Sequence, residues 1–240
     1  MKRVIAIAGR ELDGLFRLPV GWIAIALFVL VSGAVFVVGT LEPGEPATMR
    51  YFFVVGTWML VPVAPAVSMR LFSEELRTGT IEPLMTSPMG DVSVVWGKYL
   101  GAVGFLVLML FPTLVYALVL WGASDRMPDP GPIIGGYVGL VLVGMVYLAV
   151  GTLTSTLTSS QTLSFLATLI VLVLALIVSE LGATRVGPAF GAVLQELSIA
   201  NRMREFAKGV VELRDVVALL SASVWLVTLA SVSLESRRWR

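Results

Sequence analysis

Long runs of apolar residues, broken by short polar stretches, dominate the chain. Six runs reach the roughly 20 residues that a helix needs to cross a bilayer: Val20–Leu41, Tyr51–Met69, Val94–Trp121, Ile133–Leu153, Leu163–Leu181 and Val216–Leu234. None shows the two-residue alternation of a transmembrane β-barrel strand. A backbone in lipid must satisfy its own hydrogen bonds, so each run is expected to be a membrane-spanning helix. The fold class expected is all-α and polytopic, a single transmembrane domain over residues 1–240.

Residues 2 to 18 differ from the runs. Ile5, Ala8, Leu12 and Leu15 fall on one side at helical spacing, while Arg3, Arg10 and Arg17 recur every seven residues on another. This pattern predicts a helix over residues 1–18 lying in the membrane interface, with its bases toward headgroups. Residues 72–90 are the other exception. With Arg70 and Asp91 included, six charges crowd between the second and third runs, and burying them in hydrocarbon would cost about 15–20 kcal/mol. This segment therefore belongs in water or among headgroups. Thr78-Gly79 is expected to end the helix continuing from the second span, Thr80 to cap a new short helix with Glu82 and Pro83 in its first turn, and Asp91 to cap the third span. Ile81, Leu84 and Met85 give that short helix an apolar face. These residues alone leave open whether the helix receives a soluble partner or is only a well-formed connection.

Pro62, Pro65 and Pro112 fall inside spans, where each permits a kink. Gly97/Gly101 and Gly135/Gly139 offer small faces for close packing within the chain. Leu194, Leu197, Phe206, Val210 and Leu213 give residues 182–215 an amphipathic pattern.

Composition narrows the chemistry. Of 240 residues 57% are hydrophobic and 14% charged, and mean hydropathy is +0.92. A net charge of +1 gives no sign of a nucleic-acid partner. There is no Cys and no His, which removes thiolate chemistry and the commonest metal ligand and general base. The span interiors lack the paired carboxylates of an intramembrane hydrolase and the midplane ionisable groups of an ion-coupled carrier. No catalytic or metal site is expected.

Basic residues orient the chain. Lys2, Arg3, Arg10, Arg17, Arg70, Arg77, Lys98, Arg237, Arg238 and Arg240 share one side of a six-span topology, against Arg50 and Arg126 in the first two loops opposite. The positive-inside rule places the ten, and both termini, in the cytoplasm. Five bases before the last span, Arg185, Arg202, Arg204, Lys208 and Arg214, run against that rule.

The stretch "EELRTGTIEPLMTSPMGDVSVVWGKYLGA" resembles the signature of type-2 ABC transporter (ABC-2) permeases, in particular their gliding-motility and nitrous-oxide-maturation branch. The matching positions are Glu74, Glu75, Gly79, Thr80, Glu82, Leu84, Thr86, Ser87, Pro88, Asp91, Gly97 and Lys98. The polar "TSTLTSSQTLS" between spans four and five and "REFAKGVVELRDVV" before span six are similar to corresponding family segments. Pro83 departs from the pattern, standing where relatives carry a helix former.

The resemblance implies a bacterial inner-membrane permease subunit with six spans and an N-terminal interfacial helix. It also implies a coupling helix between spans two and three that docks on a separate ABC ATPase, in an assembly of two permeases and two ATPases. ATP and Mg would sit on the ATPase, and this chain has no G-x-x-x-x-G-K-[ST] loop of its own. The docking set implied is Arg77, Gly79, Thr80, Ile81, Glu82, Leu84, Met85, Ser87 and Pro88, with Glu74, Glu75 and Lys98 as membrane-border charges. A second copy or related permease, a periplasmic auxiliary protein and the lipid membrane are the further partners expected. Outer helices within 182–215 would close the outer mouth. The alternative is an anchor or scaffold of an envelope or gliding-motility complex that translocates nothing.

Overall fold

The structure is a computed structural model and describes residues 2–17, 19–40, 48–80, 90–124, 128–185, 196 and 198–236. Its described elements are helices: α1 (Lys2–Arg17), α2 (Pro19–Thr40), α3 (Arg50–Ser68), α4 (Ser73–Thr78), α5 (Asp91–Leu110), a 3-10 turn (Phe111–Thr113), α6 (Leu114–Ala123), α7 (Pro130–Leu157), α8 (Gln161–Arg185), α9 (Ile199–Ala207) and α10 (Leu213–Ser236). Six stretches are long and apolar enough to cross a membrane: Gly21–Thr40, Arg50–Thr78, Val92–Ala123, Pro130–Leu157, Gln161–Ser179 and Leu213–Ser236. The chain is an all-α polytopic membrane protein, as its apolar runs require.

Boundaries shift where local chemistry extends a helix. The fourth span begins at Pro130 because Asp129 caps it, its carboxylate accepting from Gly131 N at 3.0 Å, and proline suits the first helical position. The fifth helix runs to Arg185 instead of stopping near Leu181. The prolines act unequally. α3 stays helical through Pro62 and Pro65, whereas Pro112 sits in the 3-10 turn that divides the third span into α5 and α6.

Three expectations need correction. The second span's helix does not continue to Thr78: α3 ends at Ser68, the chain turns over Met69–Phe72, and α4 is a separate helix. Burial of Leu71 and Phe72, 1% and 0% exposed, makes this corner part of the core. Asp91 is the first helical residue of α5, with Gly90 in the capping position. On α1, Ile5 is exposed, and the half-buried stripe is Val4, Ile7, Ala8, Glu11, Leu12 and Leu15.

That stripe lies on α5. A Cβ added at Gly97 would stand 2.7 Å from Ile7 Cβ, and one at Gly101 would stand 2.8 Å from Glu11 Cβ and 2.9 Å from the Ala8 carbonyl oxygen. Gly135 and Gly139 do the same for α9, whose Phe206 carbonyl oxygen and Cβ would come within 2.5 and 2.9 Å. Both glycine pairs thus serve packing within the chain, as small residues do where apolar attraction between helices in lipid is weak.

Because α5 runs away from the end where α1 docks and α7 begins at the opposite end, α1 and α4 mark one face of the bundle and α9 the other. α9 buries Ala200, Met203, Phe206 and Ala207 against the bundle. Val210 and Leu213, expected on its apolar face, are exposed, and Leu194 and Leu197 lie outside the described residues. Gly209, at φ +86°, makes the turn that follows, where a Cβ would meet the Gly131 and Pro132 backbone at 2.9 Å.

Candidate functional site

Charge inside the α1 end of the bundle is concentrated at one side chain. Lys98, two turns into α5, is 3% exposed. Its ammonium donates to the Leu71 carbonyl at 2.6 Å, pairs with Glu75 Oε1 at 2.9 Å, and reaches Glu11 Oε2 at 3.5 Å. The Phe72 ring centroid lies 5.2 Å from the same nitrogen. An ammonium has three donors, and these partners match them one for one. They come from α1, the α3–α4 corner and α4, so a single cation on α5 ties three other pieces of chain together.

Each strand of this hub has a local cause. Leu71 offers its carbonyl because the turn after Ser68 takes it out of the helical ladder, while its N–H bonds back to Ser68 O at 3.1 Å. α4 carries Glu74 and Glu75 in its first turn, favourable for the helix dipole. Glu74 turns to Arg70, accepting from Nε at 3.2 Å and Nη2 at 3.1 Å. Glu75 turns inward, and its second oxygen, Oε2, is buried without a hydrogen-bond partner among the described residues. A fourth tie reaches α7, where Ser73 Oγ donates to the Ser155 carbonyl at 3.2 Å.

Of the expected border charges, Glu75 and Lys98 therefore meet, while Glu74 belongs to a neighbouring pair. Arg77 stands exposed one turn further along α4. Gly79 closes α4 in the left-handed region at φ +71°, and exposed Thr80 bonds back to Thr78, Oγ1 to Oγ1, at 2.9 Å. Ile81, Glu82, Leu84, Met85, Ser87 and Pro88 lie outside the described residues.

Glu11, Leu71 and Ser73 were not expected at the site. Glu11 did carry a signal, because it is an acid four residues after Ile7 and three after Ala8, on the stripe that α1 buries. Leu71 enters through its backbone, which no side-chain pattern reveals.

At the opposite face, the five bases that run against the positive-inside rule are largely paired. Arg202 is bonded to Asp215, Lys208 to Glu205 at 2.7 Å, and Arg214 to Glu196 at 2.8 Å. The Arg202–Asp215 pair fastens α9 to the start of α10. Among the described residues no group of three or more His, Cys, Asp or Glu is placed to hold a metal ion.

A six-span bundle whose α1 end is a charged corner tied to four helices defines a membrane-embedded subunit. The family model described as "ABC-2 family transporter protein" matches residues 42–238. The chain belongs to that family, whose members are the membrane subunits of ABC transporters and pair with ATPase subunits. No curated protein sequence matches the chain.

Proposed function

We propose that this chain is the permease subunit through which a separate ABC ATPase drives movement of a substrate, or of force, across a bacterial inner membrane. The face bearing α1 and α4 is then cytoplasmic, as are both termini. The working assembly holds two ATPases, which carry the ATP and Mg, and two permease copies, identical or related. The gliding-motility and nitrous-oxide-maturation branch is the part of the family that the residue 74–98 signature favours, and with it a periplasmic auxiliary partner.

The observation that carries this reading is the Lys98 hub. Residues 81–88, with Ile81, Leu84 and Met85 as the apolar docking face and Arg77, Gly79, Thr80, Glu82, Ser87 and Pro88 around it, would sit in the ATPase. They follow α4 in the chain after Gly79 and Thr80. When the two nucleotide-loaded ATPase domains close, α4 is displaced. Displacement of α4 pulls on Lys98 through Glu75, on α1 through Lys98 and Glu11, and on α7 through Ser73. A flexible connection would absorb that displacement; a corner held at four points hands it to the spans. At the other face, α9 moves with α7 because Gly135 and Gly139 seat it there, which couples the cytoplasmic push to closure of the outer mouth.

The test is co-purification. Leu84→Asp places a charge on the docking face and is expected to abolish recovery of the ATPase with the tagged permease, while membrane insertion stays at the wild-type level. Recovery equal to wild type rejects the docking surface.

A further inference from the structure

Between α2 and α3, in the half of the bilayer on the α1 side, lies an open-sided slot of about 330 Å³. Ile23, Leu27 and Val31 line it from α2, and Met59, Pro62 and Ala66 from α3. From Ile23 to Val31 the α2 residues rise through eight steps, about 12 Å at 1.5 Å per residue. That is close to the roughly 15 Å depth of one hydrocarbon leaflet. At its headgroup end the slot runs into a smaller cleft that shares Ala24 and Ala66 and includes Leu15, Phe105 and Arg70.

The shape and chemistry together select the occupant. Apolar walls give a water no partners, so the slot does not hold solvent, and an empty one would forfeit the dispersion contacts of its lining. Hydrocarbon is the filler that suits such walls. Arg70 at the mouth is only partly engaged. Its recorded bonds use Nε and Nη2, both on Glu74 Oε2, and among the described residues Nη1 makes no hydrogen bond. A guanidinium can take a second anion on that remaining edge. Exposed Arg17, ending α1, and exposed Trp22, opening α2, stand at the same headgroup level. An apolar slot one leaflet deep, with an unengaged guanidinium edge of Arg70 at its mouth, fits a single anionic lipid.

We propose that the α2–α3 slot seats one anionic glycerophospholipid from the leaflet on the α1 side, an acyl chain along Leu27 and Pro62 and its phosphate at Arg70. The seat matters because α2 is the span that the rest of the chain covers least, 22% of its membrane window being buried. The lipid completes the packing of α2 on α3, and its phosphate touches Arg70, the residue that precedes the Lys98-bonded Leu71. Occupancy thereby stiffens the corner through which force enters. The site needs no ATPase and is tested on the permease alone, so its failure and that of the transport reading are distinguishable.

The experiment reconstitutes the purified chain in phosphatidylcholine vesicles with trace chain-nitroxide phosphatidylglycerol or phosphatidylcholine, and reads the motionally restricted fraction by electron paramagnetic resonance. Phosphatidylglycerol is expected to associate about fivefold better, the preference one basic residue gives at an anionic surface. Arg70→Gln should lower it to the phosphatidylcholine level while chain restriction remains. Ala24→Leu and Ala66→Leu, which fill the slot, should each abolish the phosphatidylglycerol preference and leave only the boundary fraction common to both lipids. A tryptophan-fluorescence melt identifies which of the two is folded, and either suffices. Equal association of the two lipids with the wild type overturns the proposal. So does a phosphatidylglycerol preference that survives in a folded slot-filling variant. Efficient disulfide formation between Leu27→Cys copies would overturn it as well, by giving the slot to a second copy of the chain.

Discussion

Replacing Lys98 with Met tests the hub most directly. Methionine has nearly the length and volume of the lysine stem, so the change removes the ammonium and leaves the packing. Three groups then lose their partner. The Leu71 carbonyl forfeits a hydrogen bond to a charged donor, worth about 1.5–3 kcal/mol. Glu75, 2.9 Å away with one oxygen already buried and unpartnered, is left as an uncompensated anion beside Glu11. Removing one member of a buried pair costs about 3–5 kcal/mol. Both carboxylates keep 22% of their side-chain exposure, which moderates that cost, and Met gains as an apolar residue in a site 3% exposed. A net loss of about 3 kcal/mol follows, or roughly 6–12 °C in melting temperature for a chain of this size. Intrinsic tryptophan fluorescence in detergent reads it, with Trp96 two residues from the site. Glu75→Gln and Glu11→Gln added to Lys98→Met should recover most of the loss, because an entire ion cluster can be replaced without penalty although one member cannot. Lys98→Met melting within about 2 °C of wild type, or the triple variant melting lower still, would refute the hub as the fastening of this corner.

Other substitutions probe the remaining joints. Gly101→Val drives a side chain into Glu11 Cβ at 2.8 Å and the Ala8 carbonyl oxygen at 2.9 Å, and α1 should detach. An Ile7→Cys probe would then react with a water-soluble maleimide at least several times faster than in the wild-type background. Gly139→Val meets Phe206 Cβ at 2.9 Å and Met203 Sδ at 3.0 Å, so α9 should be displaced and become susceptible to protease added on its side of the membrane, with α1 unaffected. Gly79→Ala places a Cβ in the left-handed region at a cost of about 1–2 kcal/mol, and, since Gly79 belongs to the docking set, lowered recovery of the ATPase with the tagged permease is the expected result. Tyr147→Phe removes a hydroxyl that is buried with no hydrogen-bond partner among the described residues; its melting temperature should equal or exceed that of the wild type.

The spans were legible because lipid demands apolar residues all round a helix, and that signal needs no knowledge of neighbours. The same uniformity hides which side of each helix faces protein. Ile5 shows the difficulty: beside a membrane an exposed isoleucine costs nothing, so hydrophobicity could not separate it from Ile7, which packs on Gly97. Small-residue spacing at Gly97/Gly101 and Gly135/Gly139 pointed to close contacts but not to α1 and α9 as the partners. At the site, Glu75 and Lys98 were legible as border charges because hydrocarbon forbids them unpaired. Their meeting across 23 residues, and with Glu11 across 87, depends on the bundle's geometry. The break at Met69–Phe72 carried no proline or glycine to announce it. It exists because its own Leu71 and Phe72 bury in the core and, from outside the segment, the Lys98 ammonium takes the freed Leu71 carbonyl.

If the corner receives the proposed push from an ATPase, the distribution of burial sets where that push goes. Arg50–Thr78 and Pro130–Leu157 bury 56% and 61% of their membrane windows within the chain, against 22–39% for the other four spans. α4 follows α3 directly and bonds α7 through Ser73, so both of its covalent or hydrogen-bonded routes enter the two innermost spans. Its ionic route enters α5 at Lys98, above the 3-10 turn at Pro112 where the third span already departs from α-helical geometry. A rigid displacement arriving at α5 can bend the span at that turn, because the 3-10 geometry there already interrupts the α-helical ladder. α3, which stays α-helical through Pro62 and Pro65, and α7 have no such turn and would move as whole bodies. In the proposed coupling, the corner would therefore deliver one motion in two forms, translation of the inner pair and flexion of the third span.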